Sequence, residues 1–141
     1  MTNEYILPDR DVKTILIADQ SDHRREYVRS VLKMEEYRIL EVDNLLLLIE
    51  ALNSHRIDLL VSEVDFPGIM MVELLSYIRK KYFDMKVILT MECYSPELEL
   101  NLRPYKILYV VTWPIREDLL RSIVARGLEV EARELAYINC V

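Results

Sequence analysis

Five short apolar runs recur along the chain: TILIA (14–18), RILEV (38–42), DLLVS (58–62), KVILT (86–90) and ILYVV (107–111). Each is strand length and rich in Ile, Leu or Val, and such near-continuous apolarity predicts strands buried on both faces of a parallel sheet. The segments between them carry helical spacing. Ser21 is placed to cap a helix whose buried stripe is Val28, Val31 and Leu32, and Asn44 to cap one that buries Leu45, Leu48, Ile49 and Leu52. Met71, Leu74, Leu75, Ile78 and Tyr82 repeat the pattern behind Met70, which with Met71 reads as helix-start packing. Pro96 suits the first turn of a short helix between Ser95 and Arg103. A last helix begins after Pro114, with Glu117 and Asp118 in its first turn and Leu120, Ile123 and Val124 inward.

Strand and helix therefore alternate from end to end, which specifies an α/β fold with a parallel sheet and right-handed crossovers. In such sheets a site forms beyond the carboxyl ends of the strands, where the strand order reverses. Here those ends carry Asp19-Gln20 after the first run and Glu63 after the third.

Composition narrows the function. With 141 residues, 52% of them hydrophobic and 30% charged, the chain fits one soluble domain. A net charge of −6 argues against direct nucleic-acid binding, and the basic pairs in RR (24–25) and RKKY (79–82) read as solvated helix faces. The only glycines, Gly68 and Gly127, leave no glycine-rich phosphate loop. Cys93 and Cys140 show neither metal spacing nor a disulfide framework, and His23 and His55 read as surface residues. No apolar stretch approaches a membrane span, and Met1-Thr2-Asn3-Glu4 does not open like a secretory signal, so a cytoplasmic setting is expected.

Four stretches in order, ILIADQ, DLLVSEVDFPG, KVILT and YVVTWP, resemble the receiver domain of two-component response regulators across roughly residues 13 to 127. The resemblance implies a single doubly wound, flavodoxin-like sheet of strand order 2-1-3-4-5, with residues 1–12 as a tail and 128–141 as a helical extension or linker. It also implies a phosphorelay pocket: two adjacent acids after strand 1 that hold Mg²⁺, an aspartate ending strand 3 that takes the phosphoryl group, a Ser or Thr ending strand 4, and a Lys before a proline after strand 5. A cis bond at Trp113-Pro114 goes with that resemblance.

This chain departs at nearly every one of those positions. The acidic pair is Asp19-Gln20, and Glu63 stands at the phosphoacceptor position. Thr90 or Met91 ends strand 4, depending on the register. Trp113, or Thr112 if the alignment is anchored on Tyr109, replaces the Lys before Pro114. Exchanging Asp for Glu moves a carboxylate by roughly 1.5 Å, and a displacement of about 1 Å can cost on the order of 100-fold in rate. Gln20 brings no charge to offset the dehydration of Mg²⁺.

Asp19, Glu63 and Asp65 are the candidates for a weak divalent site, since crowded carboxylates favour a cation. The reading favoured by these residues is a degenerate receiver, not an enzyme and without a resident cofactor. It would act through a protein partner, either an output domain or another signalling protein, or as a homodimer. The alternative is a working phosphoacceptor that uses Glu63 or Asp65 with weak Mg²⁺ binding. Trp113 is either rim packing or an exposed anchor for a partner. Gly127 either ends the last helix in a left-handed cap or lies within a helix that continues.

Overall fold

The computed structural model describes residues 12–128. Its five strands are β1 (Thr14–Ala18), β2 (Arg38–Val42), β3 (Leu59–Glu63), β4 (Lys86–Met91) and β5 (Tyr109–Thr112), all parallel in the order β2-β1-β3-β4-β5. The helices are α1 (Asp22–Leu32), α2 (Leu45–Ser54), α3 (Met71–Lys81), α4 (Pro96–Leu102) and α5 (Glu117–Leu128), with a 3₁₀ turn at Arg103–Tyr105 after α4. This is the doubly wound sheet expected from the alternation of runs.

Strand alternation divides the core in two. Ile15, Ile17, Leu59, Val61, Ile88 and Val111 face α1 and α5, meeting Val28, Leu32, Leu120 and Val124. Leu16, Leu60, Val87 and Leu89 face the other way, onto Leu48, Leu52, Leu74, Ile78 and Leu102 of α2, α3 and α4. β1, β3 and β4 are buried along almost their whole length, as two-sided burial predicts. The outer strands differ: β2 and β5 are mostly half-buried, because an edge strand is covered on fewer sides.

The helix starts follow the capping residues. Ser21 Oγ accepts from Arg24 N at 3.2 Å, Asn44 Oδ1 from Leu47 N at 2.9 Å, and Ser95 Oγ from Leu98 N at 3.2 Å. Tyr82, expected on the α3 stripe, lies just beyond that helix as its C-cap. Gly68 takes φ +95° in the turn after β3, a conformation that favours glycine, and a Cβ there would stand a tight 3.2 Å from Leu45 Cβ. At the other glycine the left-handed cap is not what the structure shows, while a continuation beyond Leu128 falls outside the described residues. Gly127 lies within α5, buried, where a Cβ would collide with Leu108 Cδ2. The domain boundaries expected at 1–12 and 128–141 fall almost entirely outside the described residues.

The RKKY stretch departs from its expectation. Arg79 is not a solvated surface residue: its guanidinium donates to the carbonyls of Met85 (2.6 Å), Tyr105 (2.7 Å), Lys106 (3.1 Å) and Phe83 (3.3 Å). Burial lowers its pKa, against the attraction of Asp84. It ties the end of α3 to the approaches of β4 and β5. Those approaches are short, turning segments, and a five-donor side chain satisfies four of their carbonyls at once. Lys80 and Lys81 are exposed, as expected.

Candidate functional site

The carboxyl ends of β1 and β3 bring Asp19 and Glu63 together. Both are buried, at 4% and 6% exposure, in a position where a lone carboxylate would be costly. Asp19 Oδ1 accepts from Ser21 N at 2.8 Å, and Glu63 Oε2 accepts from Gln20 N at 2.8 Å. The Gln20 side chain lies alongside, with its Nε2 3.5 Å from Glu63 Oε1.

Between the two acids sits the guanidinium of Arg24. Its Nε is 2.9 Å from Asp19 Oδ2, one terminal nitrogen is 3.1 Å from Asp19 Oδ1 and 3.2 Å from Glu63 Oε1, and the other is 2.6 Å from Glu92 Oε2. One side chain therefore joins α1, the ends of β1 and β3, and the loop after β4. Hydrogen bonding to Asp19 holds its pKa above the ordinary arginine value, with desolvation opposing. Trp113 completes the enclosure. Its ring lies 5.9 Å from the Arg24 guanidinium carbon and 5.8 Å from the Tyr27 ring in an edge-to-face arrangement. Tyr27 in turn donates its hydroxyl to the Ile115 carbonyl.

This corrects the reading of RR (24–25) as a solvated face. The side chain of Arg24 is 20% exposed and that of Arg25 is 14% exposed, and Arg25 donates to the Asp19 carbonyl at 2.7 Å while pairing with Glu41. A signal was present in the sequence. Arg24 occupies the first turn of α1, where the helix dipole favours an anion; a cation there needs carboxylates beyond the helix end, and Asp19 supplies one.

Asp65 does not join the cluster. It is exposed, and no ion pair links it to Arg24, whose carboxylate partners are Asp19, Glu63 and Glu92. Among the described residues, no group of three or more His, Cys, Asp or Glu side chains is arranged to hold a metal ion. Mg²⁺ does not fit here: the guanidinium already stands within 3.2 Å of both buried carboxylates, and Gln20 beside them brings no charge.

Position along β4 and β5 follows from pairing. Glu63 pairs with Thr90, Thr90 with Val111, and Met91 with Thr112. Thr90 follows Ile88 by two residues and so shares the α1/α5 face with Glu63, whereas Met91 packs in the opposite core. Tyr109 and Trp113 pack against the α1/α5 core, and the Trp113-Pro114 bond is cis. Among the described residues, two side-chain polar atoms are buried without a partner: Thr90 Oγ1 and Trp113 Nε1. Thr90→Val, which removes an unsatisfied hydroxyl at nearly constant shape, is therefore expected to leave stability unchanged or raise it by about 1 kcal/mol, as read from urea midpoints.

Burial raises the Glu63 pKa above its ordinary value of 4.5. The Gln20 amide works against that shift, Asp19 adds to it, and the Gln20 side chain and Arg24 also oppose it. A carboxyl whose folded pKa is raised favours the folded state below its unfolded pKa, and loses that contribution as the pH rises through the folded value. The wild-type protein should therefore lose stability relative to Glu63→Gln as the pH climbs from 4.5. Parallel urea melts between about pH 4 and 8 would show this, and a constant difference would contradict it.

A parallel sheet of order β2-β1-β3-β4-β5 with an acidic cleft at the ends of β1 and β3 is a flavodoxin-like, doubly wound fold with its cleft at the topological switch point. Residues 15–125 match the response regulator receiver domain family, and the chain belongs to it. Receiver domains are signalling modules that interact with other signalling proteins or output domains. The structure is similar to the signal receiver domain of a protein assigned as a Luxo repressor from Vibrio parahaemolyticus, at 20% identity over 90% of this chain and 97% of that one, with a TM-score of 0.80. It is also similar to the chemotaxis response regulator CheY4 of Vibrio cholerae, at 18% identity over 83% and 99% of the two chains, TM-score 0.76. A response regulator from Thermotoga maritima matches at 22% identity over 84% and 99%, TM-score 0.78. No curated protein matches the sequence. No helix among the described residues is long and apolar enough to cross a membrane.

Proposed function

We propose that this receiver domain works without phosphorylation, as a protein–protein interaction module of bacterial signal transduction or transcription control in the cytoplasm. The observation that carries the reading is Arg24, an internal cation seated between Asp19 and Glu63. Phosphoryl transfer needs a nucleophile in line and positive charge free to meet the incoming oxygens. Here the nucleophile position holds Glu63, and the nearby positive charge is already committed to carboxylates at 2.6–3.2 Å. An arriving phosphoryl group would have to displace the guanidinium and leave the buried acids unpaired.

Protein contact through the β4–α4–β5–α5 face is supported by apolar exposure there: Tyr94 at 56%, Leu100 at 63% and Leu119 at 38%. The same face would serve a homodimer. Incubation with acetyl phosphate and Mg²⁺ should leave the intact mass unchanged, and beryllofluoride should move no amide resonance at residues 59–63. Chemical-shift changes at Glu63 on adding beryllofluoride would instead establish the working phosphoacceptor.

A further inference from the structure

The sheet's opposite end carries a row of bases. In spatial order, β2 begins at Arg38, β1 follows Lys13, Arg56 lies three residues before the start of β3, β4 begins at Lys86 and Lys106 lies three residues before the start of β5. Four of these cations line two neighbouring grooves that meet at Asp84, Met85 and Lys86, taken together as a trough: Lys13, Arg56 and Lys86 in one, Lys86 and Lys106 in the other. Against them stand two carboxylates. Asp58 is engaged already, accepting from Thr14 N at 2.8 Å with Arg56 at 3.7 Å, and Asp84 lies in the field of Arg79. Among the described residues, no carboxylate pairs with Lys13, Lys86 or Lys106, which is notable in a chain of net charge −6. Beside this positive row, Phe83 is 75% exposed, and Ile107 and Leu108 form an apolar floor.

We propose that this trough binds an acidic, partly apolar peptide segment of a partner protein, at a surface separate from the cleft around Arg24. Four adjacent strands spaced about 4.8 Å apart span about 14 Å, the length of roughly four extended residues. Alternating acidic and apolar residues would set carboxylates against the row of bases and place an apolar side chain against Phe83. A nucleic acid fits less well, because Asp58, Asp84 and the overall negative charge oppose a long polyanion.

The test is a fluorescein-labelled octapeptide of alternating Glu and Leu, titrated with the full chain and followed by anisotropy at low and moderate salt. Binding should weaken with salt, and should fall about tenfold in Lys86→Glu/Lys106→Glu while Arg116→Glu, on the far side of the sheet, leaves it unchanged. Amide shifts on adding the peptide to the wild-type protein should cluster at Phe83, Lys86 and Lys106, a readout that does not depend on the variant folding. No binding at about 1 mM protein, unchanged affinity in the double variant, or shifts elsewhere would overturn the proposal. Preferential binding of duplex DNA would reassign the trough to nucleic acid. Salt-sensitive self-association lost in the double variant would reassign it to a second copy of the chain.

Discussion

Arg24→Ala should destabilise the domain by about 2–4 kcal/mol, since removing one partner of a buried ion pair leaves charge uncompensated. The lower part of that range allows for the 20% exposure of the Arg24 side chain and for the exposed Glu92, which loses little. The informative arm is the response to Mg²⁺. In the wild-type protein about 10 mM Mg²⁺ should change neither the urea midpoint nor Trp113 emission, because the guanidinium holds the space between Asp19 and Glu63. In Arg24→Ala the two carboxylates are released, and a millimolar Kd for the cation would restore about 1 kcal/mol. An equal Mg²⁺ response in both proteins would show that Arg24 is not what keeps the cleft from a divalent ion. Arg24→Lys separates charge from geometry. It keeps the cation but cannot bridge three carboxylates, so it should recover only part of the loss.

The second large effect is expected at Arg79. Arg79→Ala frees four carbonyls, two of which are bonded at 2.6 and 2.7 Å in partly buried surroundings. Hydrogen bonds from a charged donor contribute about 1.5–3 kcal/mol each in favourable cases, and water will recover the exposed pair, so a loss of about 2–4 kcal/mol is expected. Because the loss is localised, hydrogen exchange should speed most at Met85 and Lys106, ahead of any change at β1 or β3. Uniform acceleration across the sheet would mean that Arg79 acts on global stability and not on these two approaches.

The architecture was legible because it rests on periodicity. The apolar runs gave way to strands within one or two residues of their expected bounds, Ser21 and Asn44 capped the helices they preceded, and Pro96 opened the short one. A residue's own neighbours determine such features. The cleft was legible only in part. Asp19, Gln20 and Glu63 converge as expected, since strand ends in a parallel sheet are set by topology. Arg24 and Arg79 were read as solvent-facing because long cationic side chains usually are, and their partners lie far away in sequence: Glu63 and Glu92 for one, Tyr105 and Lys106 for the other. Local pattern does not report such encounters. Register was the other gap. Whether Thr90 or Met91 faced the cleft depended on a one-residue shift, which the pairing of Glu63 with Thr90 decides.

Glu92 is 72% exposed, yet it shares its guanidinium with two acids hidden from water. Thermodynamic linkage makes such an arrangement reciprocal: by whatever factor a molecule that draws Glu92 away from Arg24 changes the proton affinity of Glu63, protonating Glu63 changes that molecule's affinity by the same factor. One guanidinium thus ties an exposed loop to a carboxylate in the interior.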